Sequence, residues 1–131
     1  MILVDASKGS CELVKPLRAA GLPVEEMRLD SGDIAFLGRG HKDAELFIGI
    51  EHKKVADLIS SLATKRLQGR QLTEMILQGY DRRWLIVEGD WRHDAAGAVT
   101  MFANGGRRRV RGAPQAVALE KRLLTLEVRG G

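Results

Sequence analysis

Apolar and polar positions alternate in ways that divide the first third of the chain into short elements. Residues 1–4 are apolar and are followed by Asp5 and a group of small residues, which predicts a strand and then a loop. Apolar residues at helical spacing predict a helix at about 12–20, with Pro16 in its first turn. Residues 23–29 predict an extended segment. The chain therefore opens as strand, helix and strand.

The middle of the chain combines a hairpin with amphipathic helices. Residues 34–37 and 45–51 predict two strands, and the glycines at 38–40 predict the turn between them. Apolar residues recur every three or four positions over 55–62 and again over 67–77. This spacing predicts two helices, each with one apolar side.

The continuous apolar run at 84–88 predicts a strand buried on both faces, with Trp84 in the core. Trp91 falls in a predicted loop, where simple packing and base stacking are both open.

The last third of the chain leaves one element undecided. Residues 99–102 and the arginine run 106–111 could form a second hairpin, because the intervening Asn-Gly favours a two-residue turn; an irregular loop is the alternative. Residues 114–128 predict a final helix. The element order fits an α/β fold with a mixed central sheet and helices on both faces.

Composition indicates a globular protein with a polyanionic partner. With 131 residues the chain has the length of one domain, which we expect to span 1–131. Hydrophobic residues make up 44% and charged residues 29%, and no apolar run reaches the roughly 18 residues of a membrane span. We expect no secretion, and a place in the cytoplasm, or in the nucleus if the protein is eukaryotic. The net charge of +4 favours an anionic partner such as DNA.

The residue types exclude some kinds of site. One cysteine, Cys11, allows no internal disulfide, and three scattered histidines give no zinc-ligand spacing. A metal, if present, is expected to be a hard ion held by oxygen. Two basic clusters could contact phosphate or could be solvated surface. They are Arg107, Arg108 and Arg109 in one, and Lys53, Lys54, Lys65, Arg66 and Arg70 in the other.

Three residues of the predicted hairpin form a candidate catalytic group. Glu51 and Lys53 point to the same face of their strand, while His52 between them points away. Asp33 begins the other strand and comes beside Glu51 if the antiparallel register allows it. Converging carboxylates attract a divalent cation, and Mg²⁺ or Mn²⁺ could activate water for phosphodiester hydrolysis. Lys53 would then orient the attacking water or help to deprotonate it, and would offset phosphate charge.

An acid and a lysine two positions apart are weak evidence alone, because exposed Glu and Lys alternate on many solvated strands. Together with their surroundings, however, they resemble the nuclease domain of the XPF family, whose hallmark is Gly-Asp followed by Glu-Arg-Lys-x-x-x-Asp. The resemblance runs from Val4-Asp5 to Glu88-Gly89 and extends weakly into the last helix. The matching positions are Gly32-Asp33, Ile50-Glu51-His52-Lys53, Asp57-Leu58-Ile59, Ser61-Leu62, Arg66-Leu67, Gln71, Met75, Tyr80 and Leu85 to Gly89.

The resemblance implies a restriction-endonuclease-like fold of the PD-(D/E)xK superfamily. It implies that Asp33, Glu51 and Lys53 are catalytic, with Asp33 and Glu51 as metal ligands and Asp5 at the metal site or just behind it. Further implied site residues that hold DNA are Asp57, Arg66 and Gln71. It also implies Mg²⁺ or Mn²⁺ as cofactor, branched or flapped DNA as substrate, and a homodimer or heterodimer formed through the nuclease domain.

The chain departs from the family pattern at three places. His52 replaces the family's arginine. Ser7 and Lys8 stand where the family usually has Arg-Glu shortly after Asp5, so that the acidic residue of that pair is lacking here. Glu12 is the nearest substitute, although a surface glutamate is the simpler interpretation. We also expect that the family's last strand and helix are lacking, either because the chain is an excised domain or because a partner covers the sheet edge.

Two other functions stay open. A catalytically silent DNA-binding or dimerisation module of the same fold would be expected to lose the triad that this chain retains. The other open function is that of a related nuclease in DNA packaging, recombination or restriction, as in a phage.

Overall fold

The computed structural model describes residues 1–7, 9–63, 77–103 and 105–110. The described residues up to 52, together with 77–86, form one compact unit, and the remainder form a second. Among the described residues, no helix combines the length and apolar character needed to cross a bilayer.

A five-stranded sheet organises the first unit, in the strand order β2-β1-β3-β4-β5. The strand β1 is parallel to β2 and antiparallel to β3, and β3 is antiparallel to β4. The sheet is therefore mixed, as predicted. The strands are β1 Ile2–Asp5, β2 Val24–Met27, β3 Ile34–Arg39, β4 Glu45–Lys54 and β5 Arg82–Glu88, of which β4 and β5 run on into the second unit.

Helices are short in the described part of the chain. A 3-10 turn, Cys11–Leu13, leads into α1, Val14–Ala19, which confirms the helix predicted at 12–20. The second helix, α2, is Val55–Ala63 and confirms the prediction at 55–62. The helix predicted at 67–77 lies almost entirely, and that predicted at 114–128 entirely, outside the described residues.

The turn of the β3–β4 hairpin lies later than predicted. Gly38 and Arg39 still belong to the ladder, where they pair with Leu46 and Glu45. The chain reverses over residues 40–44, closed by the Gly40 N–H, which donates to the Ala44 carbonyl at 2.7 Å, with a 3-10 turn between them. The turn predicted at 38–40 was placed two residues too early, because Gly38 and Arg39 pair across the hairpin.

The strand β5 was predicted to be buried on both faces, and this was wrong. It lies at one edge of the sheet, and its residues alternate in exposure along the strand. Trp84 is 61% exposed and Ile86 43% exposed, so Trp84 is not a core residue. A continuous apolar run shows that a strand is apolar on both faces, but not that both faces are covered.

The second unit contains α2 and a three-stranded antiparallel sheet, β6-β7-β8. Its strands are β6 Trp91–His93, β7 Val99–Ala103 and β8 Gly106–Arg109. The hairpin interpretation of this region is therefore confirmed against the irregular loop. The strand β6 was not predicted, and Trp91 lies in it rather than in a loop.

Aromatic packing fixes the segment that precedes β3. Tyr80 is 3% exposed and packs against Phe47, with ring centroids 4.6 Å apart. Its hydroxyl donates to the Ser31 carbonyl at 2.9 Å. The backbone just before Asp33 is thereby tied to the core of the first unit.

Candidate active site

The strand registers bring three acidic residues to one level of the sheet. The Asp5 N–H donates to the Asp33 carbonyl, and the Asp33 N–H donates to the Ile50 carbonyl, both at 2.8 Å. Ile34 pairs with Ile50, so that one step along the same antiparallel register Asp33 is opposite Glu51. Asp5, Asp33 and Glu51 therefore lie level on three adjacent strands, and we call them the carboxylate row. The sequence left open whether the antiparallel register brings Asp33 beside Glu51, and the structure shows that it does.

Both oxygens of the Asp33 carboxylate accept hydrogen bonds. The Ser10 hydroxyl donates to Oδ1 at 2.5 Å, and the His52 backbone N–H donates to Oδ2 at 2.7 Å. Hydrogen bonds to an ionised acceptor are among the stronger ones in proteins. The orientation of this carboxylate is thus fixed from two sides, once by the turn after β1 and once by β4.

Asp5 is a buried carboxylate with donors of its own. The Leu29 N–H donates to its Oδ1 at 2.8 Å, and the Ser7 N–H donates to its Oδ2 at 3.3 Å. The Ser7 hydroxyl also donates to Oδ2. Burial alone would raise the pKa of Asp5, but the hydrogen bonds from Ser7 and Leu29 and the charge of Arg28 outweigh it and lower the pKa. Asp5 is therefore ionised at neutral pH.

Glu51 and Lys53 are buried on β4, at 7% and 8% exposure, with a half-buried His52 between them. The alternation predicted from the sequence is thus present. Charged side chains avoid such positions unless other groups compensate the burial. The solvated-strand interpretation of this acid and lysine is therefore wrong.

The carboxylate row suits a hard cation in chemistry, although its ligands are not gathered around one point. Within the described ranges, no three His, Cys, Asp or Glu side chains form a ready-made metal site. Carboxylate oxygens are the ligands that Mg²⁺ and Mn²⁺ prefer. Asp5 Oδ1 and both Asp33 oxygens accept one hydrogen bond each and keep a lone pair, whereas Asp5 Oδ2 accepts two. In donor type, the predicted ligands Asp5, Asp33 and Glu51 fit such an ion, and metal binding stays a prediction.

Two of the predicted DNA-contacting residues lie at the surface near the end of β4. Lys54, at the end of β4, and Asp57, in the first turn of α2, are exposed. Four other predicted residues lie outside the part of the chain that the structure describes: Lys65, Arg66, Arg70 and Gln71.

The three predicted arginines of β8 differ in their surroundings. The Arg107 guanidinium is 2.5 Å from Asp90, and that of Arg109 is 2.5 Å from Asp94. The hydrogen bond from Arg109, with N–H donors of the neighbouring loop, lowers the pKa of Asp94. Arg108 points to the opposite face of the strand and has no ion pair with another described residue.

Two serines of the site were missed from the sequence. The Ser10 hydroxyl contacts Asp33 and lies 3.4 Å from the Ser7 hydroxyl, which in turn contacts Asp5. Ser7 had been noted only as a departure from the family pattern, and nothing local in the sequence singles out Ser10. Glu12, the possible substitute ligand, is exposed in the 3-10 turn, as the simpler interpretation predicted.

Comparison with known proteins identifies the family. A model of the ERCC4 domain matches residues 4–130. The chain belongs to the ERCC4 domain family. Its structure is similar to that of XPF from Aeropyrum pernix, with a TM-score of 0.53 and 25% sequence identity over 68% of this chain and 37% of that chain. No curated protein sequence matches the chain.

These matches confirm the resemblance to the XPF nuclease domain and the α/β fold with a mixed sheet. ERCC4 domains are generally nucleases of DNA repair that depend on a divalent metal. The chain spans little more than a third of the Aeropyrum pernix protein, at 37% of its length.

Proposed function

We propose that the chain is a divalent-metal-dependent DNA endonuclease with Asp33, Glu51 and Lys53 as its catalytic residues. The observation that carries this proposal is the carboxylate row, in which two antiparallel registers set Asp5, Asp33 and Glu51 level on adjacent strands. Lys53 follows Glu51 on the same face of β4 and is also buried. Membership of the ERCC4 domain family supports the same activity.

In the proposed site Asp33 and Glu51 hold Mg²⁺ or Mn²⁺, with Asp5 as a further ligand. When bound, such an ion supplies positive charge at the phosphate and lowers the pKa of nearby water. The fixed orientation of the Asp33 carboxylate reduces the rearrangement that binding requires, because the two donors described above already hold it.

Lys53 acts on the water and on the phosphate. Hydrolysis forms one bond from the water oxygen to phosphorus and breaks one P–O bond, with a proton lost from the water and one gained by the leaving oxygen. The Lys53 ammonium has three donors, which can orient the water and offset the charge that grows on the phosphate oxygens. Its burial keeps this charge from being screened by bulk water.

We propose structured DNA, such as branched, flapped or forked substrates in repair, recombination or phage DNA processing, and a homodimer or heterodimer of nuclease domains. Cationic side chains would contact the phosphate backbone and so position the duplex. The proposed DNA-contacting residues are Lys54, Asp57, Lys65, Arg66, Arg70, Gln71, Arg107, Arg108 and Arg109.

A nuclease assay tests the proposal. Flap, fork and duplex DNA are incubated with the purified chain in Mg²⁺, in Mn²⁺ and in EDTA. We expect cleavage only with metal, and a loss of roughly 100-fold or more in Asp33→Asn and Glu51→Gln, which keep the side-chain shape and remove the charge. Asp43→Asn, in the exposed turn before β4, is the matched control and should cleave normally. Uncut DNA in every metal, or full activity in both site variants, would refute the proposal.

A catalytically silent DNA-binding module is the second candidate. It is favoured by the Oδ2 atom of Asp5, which already accepts two hydrogen bonds from Ser7 and so has no lone pair left for a metal. Binding of forked DNA in Mn²⁺ without any cleavage would identify this function instead.

A further inference from the structure

We propose that Ser10 is a positioning residue for Asp33, and that Ser7 and Ser10 together hold the Asp5 and Asp33 carboxylates ready for metal. The inference rests on the proposed function. It assigns a role in this site to two residues outside the family motif. Ser7 stands where the chain departs from the family pattern, and Ser10 has no counterpart in the motif.

The two hydroxyls serve one carboxylate each. The Ser10 Oγ lies 2.5 Å from Asp33 Oδ1, and the Ser7 Oγ contacts Asp5 Oδ2. A hydroxyl carries a single proton, so when both donate to carboxylates the 3.4 Å contact between the two serine oxygens has no proton to share. The two serines therefore lie side by side, and each stabilises the negative charge of one carboxylate by a hydrogen bond.

The position of Ser10 in the chain shows that this contact competes with a local one. Ser10 is the N-cap of the 3-10 turn Cys11–Leu13, yet its side chain makes no capping hydrogen bond. Serine is favoured at N-caps because its hydroxyl accepts a bond from the first free N–H groups. Here the hydroxyl, in a residue only 6% exposed, is directed instead at a carboxylate 23 residues away in sequence.

Loss of the Ser10 hydroxyl and loss of the Ser7 hydroxyl would leave their carboxylates with different numbers of hydrogen bonds. Without the Ser10 hydroxyl, Asp33 keeps the single bond from the His52 N–H and can turn about its last torsion. Without the Ser7 hydroxyl, Asp5 keeps two backbone donors, from Leu29 and from Ser7 itself. Removal of the Ser10 hydroxyl should therefore disturb the site more.

Metal binding measured by calorimetry tests the role directly. The full chain is titrated with Mn²⁺ alone as wild type, Ser10→Ala, Ser7→Ala and the control Ser60→Ala, an exposed serine of α2. We expect Ser10→Ala to weaken Mn²⁺ binding roughly 10- to 100-fold, as loss of an orienting partner does at metal sites. Ser7→Ala should weaken it less, and Ser60→Ala not at all.

A matched pair separates positioning from packing. Ser10→Thr and Ser10→Val have the same shape and differ only in the hydroxyl, so any overpacking at this buried position affects both. We expect Ser10→Thr to bind Mn²⁺ more tightly than Ser10→Val. In cleavage assays the Mn²⁺ concentration at half-maximal rate should rise in Ser10→Ala, while the rate at saturating Mn²⁺ returns toward that of the wild type.

The outcomes distinguish this inference from the function on which it rests. If the wild type binds Mn²⁺ and cleaves DNA, but Ser10→Ala and Ser10→Val bind Mn²⁺ equally well, the positioning role is wrong and the nuclease proposal stands. If the wild type neither binds Mn²⁺ nor cleaves, both are wrong.

Discussion

Gly49 of β4 lies directly against the ring of Tyr80, in the core of the first unit. A Cβ atom at this position would lie 2.6 to 2.8 Å from three ring atoms of Tyr80. The ring cannot easily withdraw, because Tyr80 is buried and its hydroxyl is bonded to the Ser31 carbonyl. Glycine is therefore required here for close approach.

We expect Gly49→Ala to lower the free energy of unfolding by about 1–3 kcal/mol, the usual cost of overpacking a core. Gly38→Ala is the matched control on β3. Its Cβ would meet the Ile48 Cδ1 at 2.5 Å, but this is the end of a flexible side chain that can rotate away. Urea unfolding of both variants checks the difference, and equal losses would contradict the account of Tyr80.

The residues that we propose as catalytic follow from local pattern and family motif. Alternation along one strand is enough to place Glu51 and Lys53 on a common face. Ser10 could not be found in this way, because its partner Asp33 is distant in sequence and its position before a helical turn already explains a serine. The missing information was a tertiary contact.

At the scale of elements, β5 shows that a strand with apolar residues on both faces can have one face exposed. Trp84 and Ile86 lie on its exposed face, whereas Leu85 and Val87 lie on the more buried one. The two faces have nearly equal hydrophobicity in the sequence, so the sequence alone does not tell which of them the rest of the protein covers.

We expect Trp84→Thr to change the free energy of unfolding by no more than about 1 kcal/mol, since an exposed site loses little packing and threonine suits a strand. Leu85→Ala, one position along the same strand, should cost about 2 kcal/mol or more because it removes half-buried side-chain volume. Thermal or urea unfolding measures both. A larger loss in Trp84→Thr would mean that this face is covered.

Elements were predictable where the signal is local. The β7–β8 hairpin follows from a turn-favouring Asn-Gly between two runs of suitable residues. The β3–β4 turn was placed too early, because its true position depends on which residues pair across the hairpin, and glycines can occupy either a turn or a ladder. The register itself, and with it the carboxylate row, required the three-dimensional structure.

At the scale of the whole molecule, the net charge of +4 conceals unequal local charge. Arg107 and Arg109 are each paired with an aspartate of their own sheet. The hydrogen bond from Arg109 lowers the pKa of Asp94, so that this ion pair persists to a lower pH than the pKa of an ordinary aspartate would allow. These two cations must exchange one anion for another when they contact phosphate, whereas Arg108 has no such pair among the described residues.

The proposed contact of β8 with DNA can be tested by the salt dependence of binding. In EDTA, which prevents metal-dependent cleavage, the slope of log K against log salt concentration should fall in magnitude by about 0.9 in Arg108→Gln if this side chain neutralises one phosphate of a duplex. Arg107→Gln should change the slope less, because Asp90 already neutralises part of its charge and is released when the phosphate binds. Arg39→Gln, an exposed arginine paired with Asp43 in the β3–β4 turn, is the control and should leave the slope unchanged. An unchanged slope in Arg108→Gln would remove β8 from the DNA-binding surface without affecting the carboxylate row, since the two are measured by different experiments.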